Sequence, residues 1–152
     1  MSETVSIRRG DEADAAAIAA LTREAYAKWA QLIGREPLPM TIDHAQAVKS
    51  HRFDLLFAET DLAALIETVP RDDWLLIENV AVRPAFQRRG YGVRLLQLAE
   101  ALAIDAGLRG TRLYTNQRFT ANLTLYESLG YRVESEEALN GGVAVHMAKP
   151  RA

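Results

Sequence analysis

One segment constrains the fold more than any other. Leu75-Leu76-Ile77-Glu78-Asn79-Val80-Ala81-Val82 is a run rich in Leu, Ile and Val, and it stops at Arg83-Pro84. A few residues later Gly90-Tyr91-Gly92 opens a long amphipathic stretch that reaches Ala106 and is closed by Gly107. The first part has the length and composition of a buried strand. The second has the spacing of a helix with a glycine at its C-terminal cap. A buried strand feeding a helix through a short glycine loop commits the chain to a sheet covered by helices. It also creates a chemical opportunity. The first turn of a helix carries unpaired N–H groups and the positive end of the dipole. Glycines let an anion approach that backbone, so Gly90 and Gly92 suit a phosphate or pyrophosphate, and Arg88 and Arg89 can add charge. A helix start with two packing glycines is the competing reading of the same residues. No third glycine makes this a dinucleotide fingerprint, and no Gly-Lys-Ser/Thr makes it a P-loop.

The flanking sequence supplies the other elements of an α/β fold. Thr4 to Arg9 alternates as a short first strand. Asp11 is placed to cap a helix, with Asp14 standing in for the second half of a capping box. Ile18, Leu21, Ala25 and Trp29 recur at helical spacing toward Gly34. The two prolines between Gly34 and Met40 predict a loop, and a short helix follows over Ile42–Lys49. Asp54–Glu59 and Leu62–Val69 read as a hairpin turning at Thr60-Asp61. After the glycine-loop helix come a strand over Arg112–Thr115 and a helix capped by Thr120 that runs to Leu129 and ends at Gly130. A closing antiparallel pair, Tyr131–Glu134 and Val143–Ala148, turns around Asn140-Gly141-Gly142. The expectation is one domain over the whole chain, with a mixed sheet of about six to seven strands flanked by about four helices.

Composition narrows the function. Eighteen Lys and Arg stand against 20 Asp and Glu in 152 residues. A bulk nucleic-acid binder needs a basic excess to displace counterions, so that class is disfavoured. Cysteine is absent, which removes disulfides, thiol nucleophiles and thiolate metal sites. His44, His51 and His146 lack metal-ligand spacing and read as surface or structural residues. No stretch approaches the roughly 20 apolar residues of a membrane helix, and the start of the chain lacks a signal peptide's apolar run. The expectation is a cytoplasmic protein.

Gln87-Arg88-Arg89-Gly90-Tyr91-Gly92 resembles the Gln/Arg-x-x-Gly-x-Gly/Ala signature of the GNAT superfamily of N-acyltransferases. Ile77-Glu78-Asn79-Val80-Ala81-Val82 resembles that family's fourth strand. Asn122-Leu123-Thr124-Leu125-Tyr126-Glu127-Ser128-Leu129-Gly130-Tyr131 resembles its later Asn-x-x-Leu-Tyr-x-x-x-Gly-Tyr/Phe segment. Three linked motifs in the family's order are far more specific than one. The chain departs from the family in its second hairpin, where Glu59-Thr60-Asp61-Leu62-Ala63-Ala64 contains no glycine.

The resemblance implies a strongly twisted mixed sheet and acetyl-CoA as cofactor. It places the pyrophosphate on backbone amides from Arg88 to Val93, with Gln87, Arg89, Gly90, Tyr91 and Gly92 in that loop. It pairs the pantetheine arm with the main chain around Val80, Ala81 and Val82, as an added strand pairs at a sheet edge. It makes Tyr126 the general acid beside the CoA sulfur, and Asn122 a residue that binds CoA or orders the site. Glu78 is then the candidate base or water-positioning carboxylate, and the Val80 N–H a candidate oxyanion donor. Tyr26, Trp29 and the loop from Arg35 to Met40 fall where the family lines its acceptor pocket. The implied activity is acetyl transfer to a primary amine of a small molecule or peptide by direct attack in a ternary complex. No cysteine exists to carry the acetyl group. Homodimers are common among such folds. Two alternatives stand beside this reading: a non-catalytic acyl-CoA sensor on the same fold, and an unrelated domain whose glycine loop holds another nucleotide.

Overall fold

The computed structural model describes residues 4–34, 36, 38–139 and 142–151, apart from the side chains of Leu38 and Leu139. In chain order the strands are β1 (Val5–Arg9), β2 (Arg52–Ala58), β3 (Asp61–Arg71), β4 (Trp74–Val82), β5 (Gly110–Asn116), β6 (Arg132–Leu139) and β7 (Gly142–Pro150). The helices are α1 (Ala15–Ile33), α2 (Leu38–Thr41), α3 (His44–Ser50), α4 (Tyr91–Asp105) and α5 (Thr120–Ser128). The sheet has seven strands in the order β1-β2-β3-β4-β5-β7-β6. It is mixed because β4 and β5 run parallel, with α4 as the crossover such a pair requires. Contacts divide the chain into two units, Met1–Val69 with Glu78–Leu98, and Pro70–Ile77 with Ala99–Ala152.

In the first unit, Asp11 and Asp14 form a reciprocal capping box. The Asp11 side chain accepts the Ala13 N–H at 2.9 Å, and Asp14 accepts the Asp11 N–H at 2.9 Å. They cap a 3-10 turn, Glu12–Asp14, that leads into α1. Arg8 grips Asp14 with two bonds of 2.8 and 2.9 Å and, chiefly through them, pulls its carboxyl down to about 2. Ile18, Leu21 and Ala25 of α1 pack with Ala47, Phe53, Leu55, Leu62, Leu65 and Ala81. Full burial of each large apolar side chain is worth about 2 kcal/mol. Leu62 and Leu65 reach this core although one is even-numbered and the other odd. Pairing explains it: Leu56 opposes Ala64, and Phe57 opposes Leu62. Ala63 is therefore an extra residue, a β-bulge that reverses side-chain alternation. Its carbonyl accepts the Arg83 N–H at 2.9 Å, which fixes the chain just beyond β4.

The missing hairpin glycine has a local substitute. Glu59 adopts φ 55, a left-handed conformation that costs a non-glycine residue about 1 kcal/mol. Its N–H donates to Thr4 O at 2.7 Å, and its carboxylate accepts the Thr4 N–H at 3.0 Å. That reciprocal clamp on the segment entering β1 holds the turn.

In the second unit, β5, β7 and β6 are antiparallel, with Leu113 opposite Met147 and Val133 opposite the same Met147 on its other side. Leu113, Tyr131 and Met147 are almost fully buried. The β4–β5 ladder is short, pairing Leu75, Leu76 and Ile77 with Thr111, Arg112 and Leu113. Gly110, at φ 154, lies so close to β7 that a Cβ would run into the Lys149 carbonyl oxygen.

Three expectations are corrected. Among the described residues there are five α-helices, where about four were expected, because Leu38–Thr41 forms a turn of helix in place of a proline loop. Pro39 is tolerated there since first-turn N–H groups have no helical partner. Phe119, not Thr120, is the N-cap of α5, and its side chain makes no capping bond. The closing strands β6 and β7 extend beyond the expected pair, and Asn140 and Gly141 of their turn lie outside the described residues. Among the described residues, no helix is long and apolar enough to cross a membrane.

Candidate active site

The glycine loop combines left-handed backbone with the start of a helix. Beyond β4 the chain makes a 3-10 turn over Pro84–Phe86, closed by the Phe86 N–H to Arg83 O at 2.9 Å. Gln87 then turns back, and its Nε2 donates to Val82 O at 3.1 Å. Arg88 takes φ 67 and Gly90 φ 80, both left-handed, with Arg89 between them. Alternation of this kind curls the main chain so that successive N–H groups converge into an anion-binding nest. For Arg88 the conformation costs about 1–2 kcal/mol, and such strain concentrates where a site requires it. Gly90 O accepts the Arg94 N–H at 3.0 Å, so the helix begins here and its positive dipole end lies in the same loop. A Cβ on Gly90 would meet nothing within 4 Å, and one on Gly92 would touch only Val82 Cγ2 at 3.6 Å. The space beside the backbone at Gly90 is open. Arg88 and Arg89 are exposed, with the Arg89 guanidinium 5.2 Å from the Phe86 ring centre. Tyr91 is buried, while Val93 is half-buried.

The strand leading into this loop has two kinds of residue. Val80 and Val82 are half-buried. Ala81 belongs to the core with α1, so of Ala81 only the main chain is available to a ligand. Gln87 already uses the Val82 carbonyl. Asn79, which the motifs did not single out, is 4% exposed. Its Oδ1 accepts the Tyr26 hydroxyl at 2.7 Å, and its Nδ2 has no hydrogen-bond partner among the described residues. Tyr26 is thereby tied to β4 itself. Glu78 is half-buried. Close by in the same unit lies a second pair, His51 Nδ1 and Glu67 Oε2 at 2.6 Å, with the Glu67 side chain 7% exposed. The sequence signal for Glu67 was available: it interrupts the apolar run Leu62–Ile66. Trp29 is half-buried, with Lys28 Nζ 4.8 Å from its ring. Arg35 and Pro37 of the pocket loop lie outside the described residues.

The second unit holds Asn122 and Tyr126 on α5, one helical turn apart. Tyr126 is 8% exposed, and burial pushes its phenol up to about 12. Its ring meets that of Tyr131 edge-on at 5.9 Å. The Tyr131 hydroxyl shares a 2.8 Å bond with Thr111 Oγ1, and burial raises its pKa too. Asn122 is half-buried, and its N–H donates to Phe119 O at 3.0 Å. A phenol this far above neutrality is protonated at all physiological pH, which is the state a proton donor needs.

His44 is buried, with its pKa lowered by desolvation. His146 pairs with Glu137 at 3.1 Å. No cluster of His, Cys, Asp and Glu able to hold a metal ion occurs among the described residues.

The family model of the GNAT acetyltransferases matches residues 17–131, a span that takes in β4, the glycine loop, Asn122 and Tyr126. The chain belongs to the GNAT family of acetyltransferases. A search of curated proteins found no match. Solved structures resemble this GNAT chain over nearly its whole length. The PaiA N-acetyltransferase from Thermoplasma acidophilum, solved with coenzyme A, superposes with a TM-score of 0.80 at 18% identity, covering 97% of this chain and 99% of that one. The ribosomal-protein-S18-alanine N-acetyltransferase from Escherichia coli gives 0.79 at 23% identity, with 97% and 94% covered. A GNAT family acetyltransferase from Elizabethkingia anophelis with acetyl-CoA bound gives 0.71 at 19%, with 96% and 97% covered. At these identities the likeness establishes the GNAT fold of the chain.

Proposed function

We propose that the chain is a single-domain, acetyl-CoA-dependent N-acetyltransferase that acetylates a primary amine of a small molecule or peptide. The observation that carries the cofactor assignment is the loop at Arg88–Gly90: two left-handed residues, open space beside Gly90, and a helix start in one place. That is a site for a pyrophosphate rather than a packed helix end. The coenzyme complexes of similar structures support the same assignment.

In this reading the pyrophosphate rests on the amides from Arg88 to Val93, with Arg88 and Arg89 supplying charge and Gln87 bracing the loop through Val82. The main chain of Val80 and Val82, beyond the β4–β5 ladder along the strand, pairs with the pantetheine amides. The acceptor amine must be neutral to attack, and a lysine-like amine has a pKa of about 10.4. Glu78 takes that proton, directly or through water. The Val80 N–H stabilises the oxyanion. The C–N bond forms, the C–S bond breaks, and Tyr126 donates toward the departing sulfur while Asn122 orders the site. Tyr26, held by Asn79, and Trp29 line the acceptor pocket.

A thermal-shift titration with acetyl-CoA, run beside NADH and ATP, tests the cofactor. A ligand at 100 times its dissociation constant adds about 2.7 kcal/mol to the folded state, which raises Tm by roughly 5–10 °C for a chain of this size. A shift with NADH or ATP and none with acetyl-CoA ends the proposal. Thiol release across an amine panel then tests catalysis. Saturable acetyl-CoA binding without turnover would identify an acyl-CoA sensor instead.

A further inference from the structure

The reaction assigned above must dispose of a proton. An ammonium acceptor loses two protons on becoming an amide. One ends on the CoA thiolate, and the other leaves the enzyme. Glu78 is read as the first to receive it, and the first unit contains a built continuation.

Glu67 sits within β3, one strand over from β4, in a run that is otherwise Leu62-Ala63-Ala64-Leu65-Ile66. It lies opposite Phe53, and the residue is 5% exposed. His51, the C-cap of α3, meets it through a 2.6 Å bond and is itself 24% exposed. Among the described residues, His51 and Glu78 are the charged or titratable groups that act on Glu67. Burial raises its pKa, His51 pulls it back through the bond and its charge, and the charge of Glu78 raises it again. Glu67 and Glu78 stand on hydrogen-bonded neighbouring strands, β3 and β4. On β2, Arg52 is committed to Asp54 by bonds of 2.9 and 3.0 Å. On α3, Lys49 faces Glu12 at 3.9 Å. On α1, Tyr26 bonds Asn79. Among the described residues, His51 is the side chain hydrogen-bonded to Glu67. A buried polar pair of this kind is a poor device for stability, since apolar residues of the same volume usually serve as well. It is a good device for moving a proton, because a carboxylate can pass a proton to a hydrogen-bonded imidazole whose side chain is partly open to solvent.

We propose that His51 and Glu67 are a relay pair for the acetyl transfer: Glu67 receives the proton that Glu78 draws from the attacking amine, directly or through one water, and His51 releases it to solvent. This rests on the reading of Glu78 as the base. The pair acts through Glu78 rather than on the substrate, so both are positioning residues.

The test is steady-state kinetics of Glu67→Gln and His51→Asn from neutral to alkaline pH. Folding is checked by circular dichroism and acetyl-CoA binding by calorimetry. In both variants kcat should fall by roughly 10- to 100-fold near neutral pH, with KM for acetyl-CoA unchanged. The deficit should shrink toward alkaline pH, where the amine sheds its own proton. A purely structural role would lower Tm without moving the pH profile. If Glu67→Gln does not fold, His51→Asn decides by the same comparison. A folded variant whose pH profile superimposes on wild type overturns the relay alone. Wild-type protein that binds acetyl-CoA but acetylates no amine overturns the enzyme reading, and the relay with it.

Discussion

Gly90→Glu separates the fold from the site at the glycine loop. Gly90 takes φ 80, and a Cβ there would meet nothing within 4 Å. The free protein therefore suffers only the backbone penalty, about 1 kcal/mol, which lowers Tm by roughly 2–4 °C. Binding suffers much more. A carboxylate about 5 Å from two phosphate charges is repelled by roughly 2 kcal/mol in water-like surroundings and roughly 7 kcal/mol at the effective dielectric of a protein surface. The smaller figure already weakens acetyl-CoA roughly 25-fold. Gly90→Ala provides the control, since it carries the same backbone penalty without the charge. Calorimetric titration of both variants at about 0.1 M and about 1 M salt, where the screening length falls from about 10 to about 3 Å, separates charge from shape. The ratio of the Glu to the Ala dissociation constant should narrow at high salt. Gly90→Glu binding acetyl-CoA within about threefold of wild type, a difference well under 1 kcal/mol, would refute the placement of the pyrophosphate.

Three further outcomes follow from local geometry. Burial lifts Tyr126 from an ordinary value of 10.0 to about 12; the stability this contributes is complete below pH 10 and is lost as pH rises through the folded value, about 3 kcal/mol in all. Tyr126→Phe should soften that alkaline limb in a Tm–pH series and lower kcat about tenfold or less, because a thiol of pKa about 8.5 leaves readily unaided; unchanged kcat would remove Tyr126 as the acid. Arg8 holds Asp14 at about 2 against an ordinary 3.8, so its contribution to stability is present above the ordinary value and lost as pH falls through the lower one; Asp14→Asn should flatten the acid limb of thermal melts, and an unaltered limb would show that the capping box is not what titrates. Gly110→Ala would drive a Cβ into the Lys149 carbonyl and to 2.8 Å from Pro150 Cα, all of it backbone; the loss should be about 3 kcal/mol, or roughly 6 °C or more in Tm, and a fall under about 2 °C would mean that β7 yields easily.

Elements whose signals are local were legible in the sequence. The β4 run, the loop and α4 form one continuous stretch, and Asp11 caps where its spacing places it. What escaped depends on residues far apart in the chain. His51 and Glu67 are 16 residues apart, and they meet only because α3 ends where β2 begins to pair with β3. Tyr26 and Asn79 are 53 apart, and their bond needs α1 laid on the sheet. The bulge at Ala63 is invisible to a count of alternating residues, since it is the count that fails there. No local pattern marks Gly110, whose constraint comes from the β7 carbonyl set against it. Yet the sequence did mark where to look. Glu67, Glu78 and Asn79 are polar residues set within apolar strands, and for the buried Glu67 and Asn79 that placement carries a desolvation cost. Local patterning and fold agree nearly everywhere else, and such disagreements concentrate at functional sites. In this chain the disagreement falls on neighbouring strands, and the charge of Glu78 reaches Glu67. Glu67 is buried and Glu78 half-buried. The relay proposed for Glu67 and His51 gives both carboxylates a use, in accepting and moving a proton.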